Sequence, residues 1–505
     1  MKGPRDLLLT GATGLLGRYL LRDLLAAGHR VAVLARDAGP VRAGERIAGL
    51  VAPWRGPLGA PPPDPVVLGG DLLEPGLGLS AADRAWLARH RPAVVHAAAD
   101  VTLRRSHRSD PWATNADGTR RLLDLCEALG LTELHHVSTA FVCGDRAGPV
   151  AEDELEAGQR FHNDYERSKF EAERRLRRAR GVRATVYRPS VIVGDSGTGF
   201  TSSYHGPYRF LEAAVRLTGP TAGGRRSLPL RLPFAGDEPR DLVPVDWVSR
   251  AIVRVVQRPE CHGRTYHLTA REPVPVRAIK EVAERVLAVD GVRLAGPGRP
   301  ADPSPLEELF LDQLREYWPY LHGDPVFDSR NTRAALPDLP PPRIDRAALE
   351  RLIRFAVADD WGRARRRSGR GRPGVDCSDY LERFFPAAAR GSVLGRLPLE
   401  LTVGLEVRGP GGGRWACRWR GPGPAEVRRE PPVGADVVYR MDRPTFESVV
   451  RGWESPQAAF FARRIEIAGD LEKALKLAVL FGQFVAECPY RPLPEQEVAD
   501  AAGVG

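Results

Sequence analysis

The sequence predicts an α/β chain built on a doubly wound parallel sheet, followed by a smaller α+β domain. Three observations carry this. Leu7 to Leu9 run straight into closely spaced glycines and then into an apolar pattern of helical period. Short apolar runs then recur between helical patterns, at residues 31–34, 65–72, 93–99 and 133–142, which is the rhythm of βαβ units. Near residue 378 the rhythm changes to strict alternation, as in residues 397–407, and two helical patterns follow.

The first element is a strand, a tight turn and a helix start. In Thr10-Gly11-Ala12-Thr13-Gly14-Leu15-Leu16-Gly17, Gly11 permits the turn, Gly14 lets the backbone approach a pyrophosphate, and Gly17 lets helix and strand pack closely. This is the Rossmann pattern for a nicotinamide dinucleotide, and the whole segment from Thr10 to Gly17 is expected to line it. Leu15, Leu16, Tyr19, Leu20, Leu24 and Leu25 recur at helical spacing, with Gly28 placed to end the helix. The second strand ends in Arg36-Asp37. An arginine there pairs with a 2′-phosphate and an acid with the ribose hydroxyls, so Arg36 points to NADPH while Asp37 competes for the same place. Residues 39–65, rich in Gly, Pro and Arg, read as a surface excursion. The third strand ends at Asp71 and Leu72, toward the adenine, and the small Ala97 and Ala98 after the fourth let a cofactor lie close.

The chemistry is expected at Tyr165-Glu-Arg-Ser-Lys169. Residues four apart share a helix face, so the Lys169 ammonium can stabilise the Tyr165 phenolate and bring its proton into working range near neutral pH. Only five of the 74 basic residues are lysines, so a lysine at 169 is a departure from the chain's habit. Residues 133–144 read as a strand ending in hydroxyls, and Thr139 there can hold a substrate carbonyl beside Tyr165. Asn115 opens a helical pattern, either as its N-cap or as a holder of a proton-relay water. No metal cluster is expected, because His135 and His136 on a strand point to opposite faces. Tyr204, Tyr208, Phe210, Leu211 and Phe234 are candidate pocket residues, with simple packing as the plainer role.

Together, Thr10-x-x-x-Gly14-x-x-Gly17, the small residues after His96, Asn115-x-x-Gly-Thr119, residues 137–142 and Tyr165-x-x-x-Lys169 resemble an extended short-chain dehydrogenase/reductase. Val137-Ser-Thr-Ala140, Ser168-Lys-Phe-Glu-Ala-Glu173, Arg188-Pro-Ser-Val-Ile-Val-Gly194 and Val243-Pro-Val-Asp-Trp-Val248 are similar to the thioester reductase and fatty acyl-CoA reductase (male sterility) branch. The likeness covers about residues 5–335. It implies Thr139, Tyr165 and Lys169 as the catalytic group with Asn115 supporting, and Tyr165, Lys169 and Pro189 as further cofactor contacts. Phe141 stands where a tyrosine is common, and Asn163 says nothing of acyl length.

The formal charge of +10 includes six arginines between Arg363 and Arg372 with no acid among them. They read as a solvated tether, with contact to anionic lipid headgroups as the alternative, and without interleaved aromatics they do not read as a nucleic-acid site. The six cysteines form no CxxC pair, no apolar run reaches a membrane span, and the first strand leaves no room for a signal peptide, so a cytoplasmic setting is expected.

The expected division is a reductase-like domain over 1–357, an Arg-rich linker over 358–377, a lipid-binding-like domain over 378–490 and a tail over 491–505. In the third part, Trp415, Cys417 and Trp419 alternate with polar neighbours or alanine, and Asp442 and Asp470 can cap two helices. With Ile465-Glu-Ile-Ala-Gly-Asp-Leu471, the order of elements resembles the sterol carrier protein-2 family, which implies a site for fatty acyl chains, acyl-CoA or sterols. A packing or dimerisation domain is the plainer reading. The last helix, residues 471–485, reads as apolar almost all round.

The function expected is NADPH-dependent reduction of a lipid thioester, delivered as acyl-CoA or on an acyl carrier protein, to aldehyde or alcohol. A hydroxysteroid or other lipid alcohol dehydrogenase, and a lipid carrier with a non-catalytic NADPH domain, are the alternatives.

Overall fold

The computed structural model describes residues 4–39, 41–54, 63–103, 110–218, 226–362, 375–452, 456–461, 464–488 and 490. They fall into two compact units, 1–210 with 229–368 and 211–228 with 369–505. One division falls after residue 368, and residues 211–228 group with the second unit. The arginine run 363–372 and the tail 491–505 lie outside the described residues.

The first unit is built on a seven-stranded parallel sheet. Strands β1 (Asp6–Thr10), β2 (Arg30–Ala35), β3 (Val66–Gly69), β4 (Ala93–His96), β5 (Glu133–Val137) and β6 (Arg183–Pro189) join the edge strand Thr265–Leu268. Their spatial order is Thr265–Leu268, β6, β5, β4, β1, β2, β3. Chain reversal from β1 outward on both sides is the doubly wound plan, and it opens a crevice beyond the carboxyl ends of β1 and β4. Successive side chains on a strand face opposite ways. Leu7 and Leu9 thus pack with Leu20, Leu24 and Trp247, while Leu8 packs on the other face with Leu122, Leu125 and Leu134. Helices α1 (Leu15–Ala26), α3 (Ala81–His90), α4 (Gly118–Leu129) and α5 (Asp164–Arg178) supply the crossovers.

The excursion expected over residues 39–65 contains helix α2, Ala43–Val51. Its period was short but sufficient: Ile47 and Val51, four apart, are each 1% exposed, and Glu45 accepts the Arg42 N–H at the helix start. Residues 55–62 of that stretch lie outside the described residues. The expected strand over 133–144 stops at Val137, and a 3-10 turn, Ala140–Cys143, follows Thr139. Among the candidate pocket aromatics, Tyr204 packs on Tyr208 and Trp361, and Phe210 on Phe234 and Tyr317.

In the second unit five strands lie in the order Glu426–Arg428, Gly413–Gly421, Leu399–Arg408, Val437–Asp442, Ile465–Gly469. Asp442 and Asp470 cap the helices that follow them, through the N–H groups of Thr445 and Lys473. Trp415, Cys417 and Trp419 face one core with Tyr380, Phe385, Phe446 and Phe484. The last helix, Leu471–Glu487, is less enclosed than its composition suggests: Ala474, Ala478 and Phe484 are buried, while Leu477, Leu480 and Phe481 are half-buried and Val479 is 44% exposed.

Candidate active site

The glycine segment has the shape that a bound pyrophosphate requires. Gly11 has φ +78°, and a Cβ there would lie 2.5 Å from the Ala98 nitrogen. A Cβ at Gly17 would lie 2.0 Å from the Gly11 carbonyl oxygen, so the turn and the helix touch through bare backbone. Gly14 occupies the N-cap of α1 with no side-chain cap, Thr13 and Gly14 are exposed, and Leu15 and Leu16 are half-buried. The first N–H groups of α1 are thus open to an anion, and a dinucleotide phosphate fits them. Thr10 is different. It is 1% exposed, accepts from the Ala98 N–H and lies 2.7 Å from His96 Nδ1, so it holds the ends of β1 and β4 together beneath the cradle.

At the ends of β2 and β3, Arg36 and Asp71 meet at 3.3 Å. Both Asp37 oxygens are occupied, one by the Ala43 N–H and the other by Arg42, so Asp37 starts α2. Arg36 stays exposed at the strand end. Leu72 turns inward to the core with Leu34 and Leu68, leaving Asp71 at the rim.

Thr139, Tyr165 and Lys169 converge beyond the end of β5. Asn163 caps α5 by accepting the Glu166 N–H, which fixes the first turn that carries Tyr165. Burial pushes the Tyr165 phenol up to about 12, against a smaller lowering by the neighbouring Thr139 side chain, whose Oγ accepts the Phe141 N–H at 3.3 Å. Lys169 is 1% exposed; its Nζ donates to the Val137 carbonyl at 2.6 Å, and burial lowers it to about 8. The expected pull of Lys169 on the phenolate is therefore not what governs Tyr165 in this arrangement. Burial governs it, and it keeps the phenol protonated, the form a proton donor needs.

Asn115 neither caps a helix nor presents its amide to open space. It sits within a π-helical turn, Trp112–Asp117, accepts the Asp100 N–H, and donates to the Asp100 carbonyl and to Ser168 Oγ. Ser168 in turn donates to the Tyr165 carbonyl. Asn115 thus ties the loop after β4 to the helix carrying Tyr165 and Lys169. Pro189 closes β6, and the neighbouring Arg188 forms a wholly buried ion pair with Glu173, one turn beyond Lys169. That pair fixes α5 against the sheet.

Several participants are absent from the sequence-level expectation. His136 is buried beside Lys169 and His96, with no hydrogen-bond partner for either ring nitrogen among the described residues. Glu166 is fully buried next to Tyr165 and bonds Tyr320. On the other face, His135 and His262 converge with Glu133. Contrary to the expected lack of any cluster, these three could ligate a metal, but Arg5 already donates to both Glu133 oxygens, at 2.8 and 2.7 Å. A fixed guanidinium in that position opposes a second cation. No tautomer-free motif in the sequence announces this group, because His262 arrives from 127 residues away in a separate element.

Comparison with known proteins agrees with this geometry. The male sterility protein family matches residues 9–252 and the SCP-2 sterol transfer family residues 398–482. The crystal structure of the terminal R domain from the myxalamid PKS-NRPS biosynthetic pathway is 30% identical, with a TM-score of 0.58, covering 72% of this chain and 92% of that one. The reductase (R) domain of a nonribosomal peptide synthetase from Mycobacterium tuberculosis shares the fold at 22% identity, with a TM-score of 0.53, over 72% of this chain and 94% of that one. An aldehyde reductase of Aspergillus flavus is 28% identical over 394 residues, 69% of this chain and 35% of that protein. The chain spans about a third or less of the curated relatives' length. On the cradle, the Thr139, Tyr165 and Lys169 group and these matches, the chain belongs to the male sterility branch of the extended short-chain dehydrogenases/reductases, fused to an SCP-2 family domain.

Proposed function

We propose that this protein is an NADPH-dependent reductase of lipid thioesters, yielding an aldehyde or alcohol, with a C-terminal domain that holds the lipid. The observation that carries the reading is the half-buried Tyr165, with the Thr139 side chain next to it and the buried Lys169 one turn on, in a sheet whose glycine cradle leaves the first N–H groups of α1 open. When bound, the nicotinamide supplies hydride. The chain's own residues do the rest. Thr139 and Tyr165 hold the thioester carbonyl oxygen and stabilise the oxyanion; one such donor contributes about 2.7–4 kcal/mol to the transition state. Tyr165 gives up its proton as charge develops, and the buried Lys169 limits the cost of the resulting phenolate. As the hemithioacetal collapses, the Tyr165 phenolate takes that proton back, the C–S bond breaks, the thiolate leaves and an aldehyde remains.

Arg36 supports NADPH, since Asp37 is spent on α2 and only an exposed pair with Asp71 must yield to a 2′-phosphate. The match to a terminal R domain supports a thioester carried on a protein arm, with acyl-CoA as the soluble equivalent. All six cysteines are free, in keeping with a cytoplasmic setting, and no helix among the described residues is long and apolar enough to cross a membrane.

The test is nicotinamide oxidation, followed by absorbance, with NADPH or NADH and a panel of acyl-CoAs, aldehydes and ketosteroids. Turnover of acyl-CoA with NADPH is expected. Turnover of ketosteroids alone identifies an alcohol dehydrogenase, and tight NADPH binding with no turnover identifies a carrier.

A further inference from the structure

A closed ring of hydrogen bonds stands beside Tyr165. The Glu166 N–H donates to Asn163 Oδ1 at 3.0 Å, Asn163 Nδ2 donates to the Tyr320 hydroxyl at 2.5 Å, and that hydroxyl donates to Glu166 Oε1. Each direction is forced by the next. The amide nitrogen of Asn163 can only donate, so the Tyr320 hydrogen is left for Glu166. The other Glu166 oxygen accepts the His162 N–H at 2.9 Å, so both oxygens of this fully buried group are engaged, and burial raises it above the usual carboxylate range. Asn163 has a capping duty that uses its oxygen alone; its nitrogen reaches 157 residues along the chain.

Tyr320 ends the 3-10 segment Arg315–Tyr320. Its ring meets Phe141 edge-on at 5.7 Å and His162 at 5.5 Å, and Phe141 also meets Phe327 at 5.9 Å. Phe141 follows Thr139 by two residues, so this aromatic cluster adjoins the group that holds the carbonyl. From its far side the same segment is held by Arg240, which donates to the Tyr320 and Leu321 carbonyls and pairs with Asp324.

We propose that Glu166, Asn163 and Tyr320 form a latch: Tyr320 is a positioning residue that docks segment 315–321 beside Thr139 and Tyr165. The proposal rests on the reductase reading for its kinetic consequences but not for the latch itself. Its occupant is the apolar part of the acyl group next to the thioester, which the rings of Phe141, Tyr320 and Phe327 suit. The charged and titratable groups facing Glu166 are the Tyr320 hydroxyl, the His162 ring, the Asp145 carboxylate, the Cys143 thiol and the Tyr165 phenol.

The test uses the full chain, NADPH and octanoyl-CoA. Tyr320→Phe is expected to raise KM for the thioester about tenfold with kcat changed less than about threefold. Glu166→Gln keeps the side chain's size but weakens the acceptor for the Tyr320 hydroxyl, and is expected to raise KM for the thioester in the same direction. Combining the two should cost less than the sum of the single effects, since both break the same bond. Amide hydrogen exchange of residues 315–321 provides a readout free of activity and is expected to quicken about tenfold in either variant. If the wild type reduces no thioester while exchange still quickens, the latch stands and the reductase reading falls. If the wild type is active but exchange and KM stay unchanged in both variants, the latch is overturned. Substitution effects that simply add overturn it as well.

Discussion

The Thr10 hydroxyl lies 2.7 Å from His96 Nδ1, and its neighbours fix the direction of that bond. Thr119 donates its one hydrogen to the Asn115 carbonyl, so it must accept from His96 Nε2; Nδ1 of the neutral ring is then bare and accepts the Thr10 hydroxyl hydrogen, while Thr10 also accepts from the Ala98 N–H. A single neutral tautomer satisfies the whole chain from the glycine cradle to Asn115. Burial agrees, lowering His96 to about 3.

This sets the acid stability of the protein. His96, His135, His136 and His267 are all buried with lowered values, His267 to about 4. Each is neutral when folded and takes up a proton when unfolded below its ordinary value, so its stabilisation is fully present above about pH 6.5 and is lost as pH falls toward the folded value. Urea unfolding between pH 7.5 and pH 5 should show stability falling by up to about 1.4 kcal/mol per pH unit for each such histidine. His96→Gln should flatten that slope by one histidine's share. Thr10→Val, which leaves His96 Nδ1 unpaired, should cost about 1–3 kcal/mol at pH 7.

Tyr165→Phe is expected to lower kcat by about 10²–10⁴ while leaving NADPH affinity nearly unchanged, because it removes the proton donor and keeps the ring. Lys169→Arg should also be poor. Lys169 is enclosed, with its Nζ on the Val137 carbonyl, and a guanidinium is larger and cannot shed its charge there. Turnover alongside direct cofactor titration separates the two effects; a Tyr165→Phe variant with near-normal kcat removes Tyr165 from the chemistry.

Where local pattern and fold agreed, the sequence was readable. Leu7 to Leu9, the glycine spacing and the Tyr165 to Lys169 spacing are each written in one short stretch of βα pattern, although their packing partners lie elsewhere, and both aspartate caps in the second unit follow from the next three residues. Asn115 and Thr10 were legible as important but not in role, because their partners Ser168, Asp100 and His96 come from other elements. Glu166 and Tyr320 were invisible for the same reason: a glutamate on a charged helix gives no sign of burial until residue 320 is brought to it. Helix α2 was hidden by the Gly and Pro around it, although Ile47 and Val51 held its period.

Arg188 and Glu173 are 0% and 1% exposed and 2.7 Å apart. Removing one partner leaves the other charge buried without compensation, which costs about 3–5 kcal/mol. Arg188→Met is therefore expected to lower the midpoint of thermal unfolding sharply. The double substitution with Glu173→Leu should recover much of that loss, and calorimetry on the three variants measures it.

Arg36→Ala should raise KM for NADPH much more than for NADH. The Arg36 pair with Asp71 is exposed and contributes about 0–1 kcal/mol, so the fold should not change. An equal effect on both cofactors would mean that Arg36 does not read the 2′-phosphate.

The C-terminal unit makes a prediction about chain length. Its last helix leaves Leu477, Leu480 and Phe481 half-buried along one side, next to a core that contains Phe385 and Phe484. Each methylene taken from water contributes about 0.8 kcal/mol, so an apolar strip of this kind discriminates strongly between long and short acyl chains. A lipid held there on the same polypeptide is also presented to the reductase at raised effective concentration. Leu477→Gln with Leu480→Gln should therefore lower kcat/KM for a C16 acyl-CoA by about tenfold or more, leave a C4 acyl-CoA unchanged, and weaken displacement of a fluorescent fatty acid from the full chain. Equal loss for both substrates, with fatty-acid binding intact, would make the unit a structural one and locate chain-length selection wholly within the reductase.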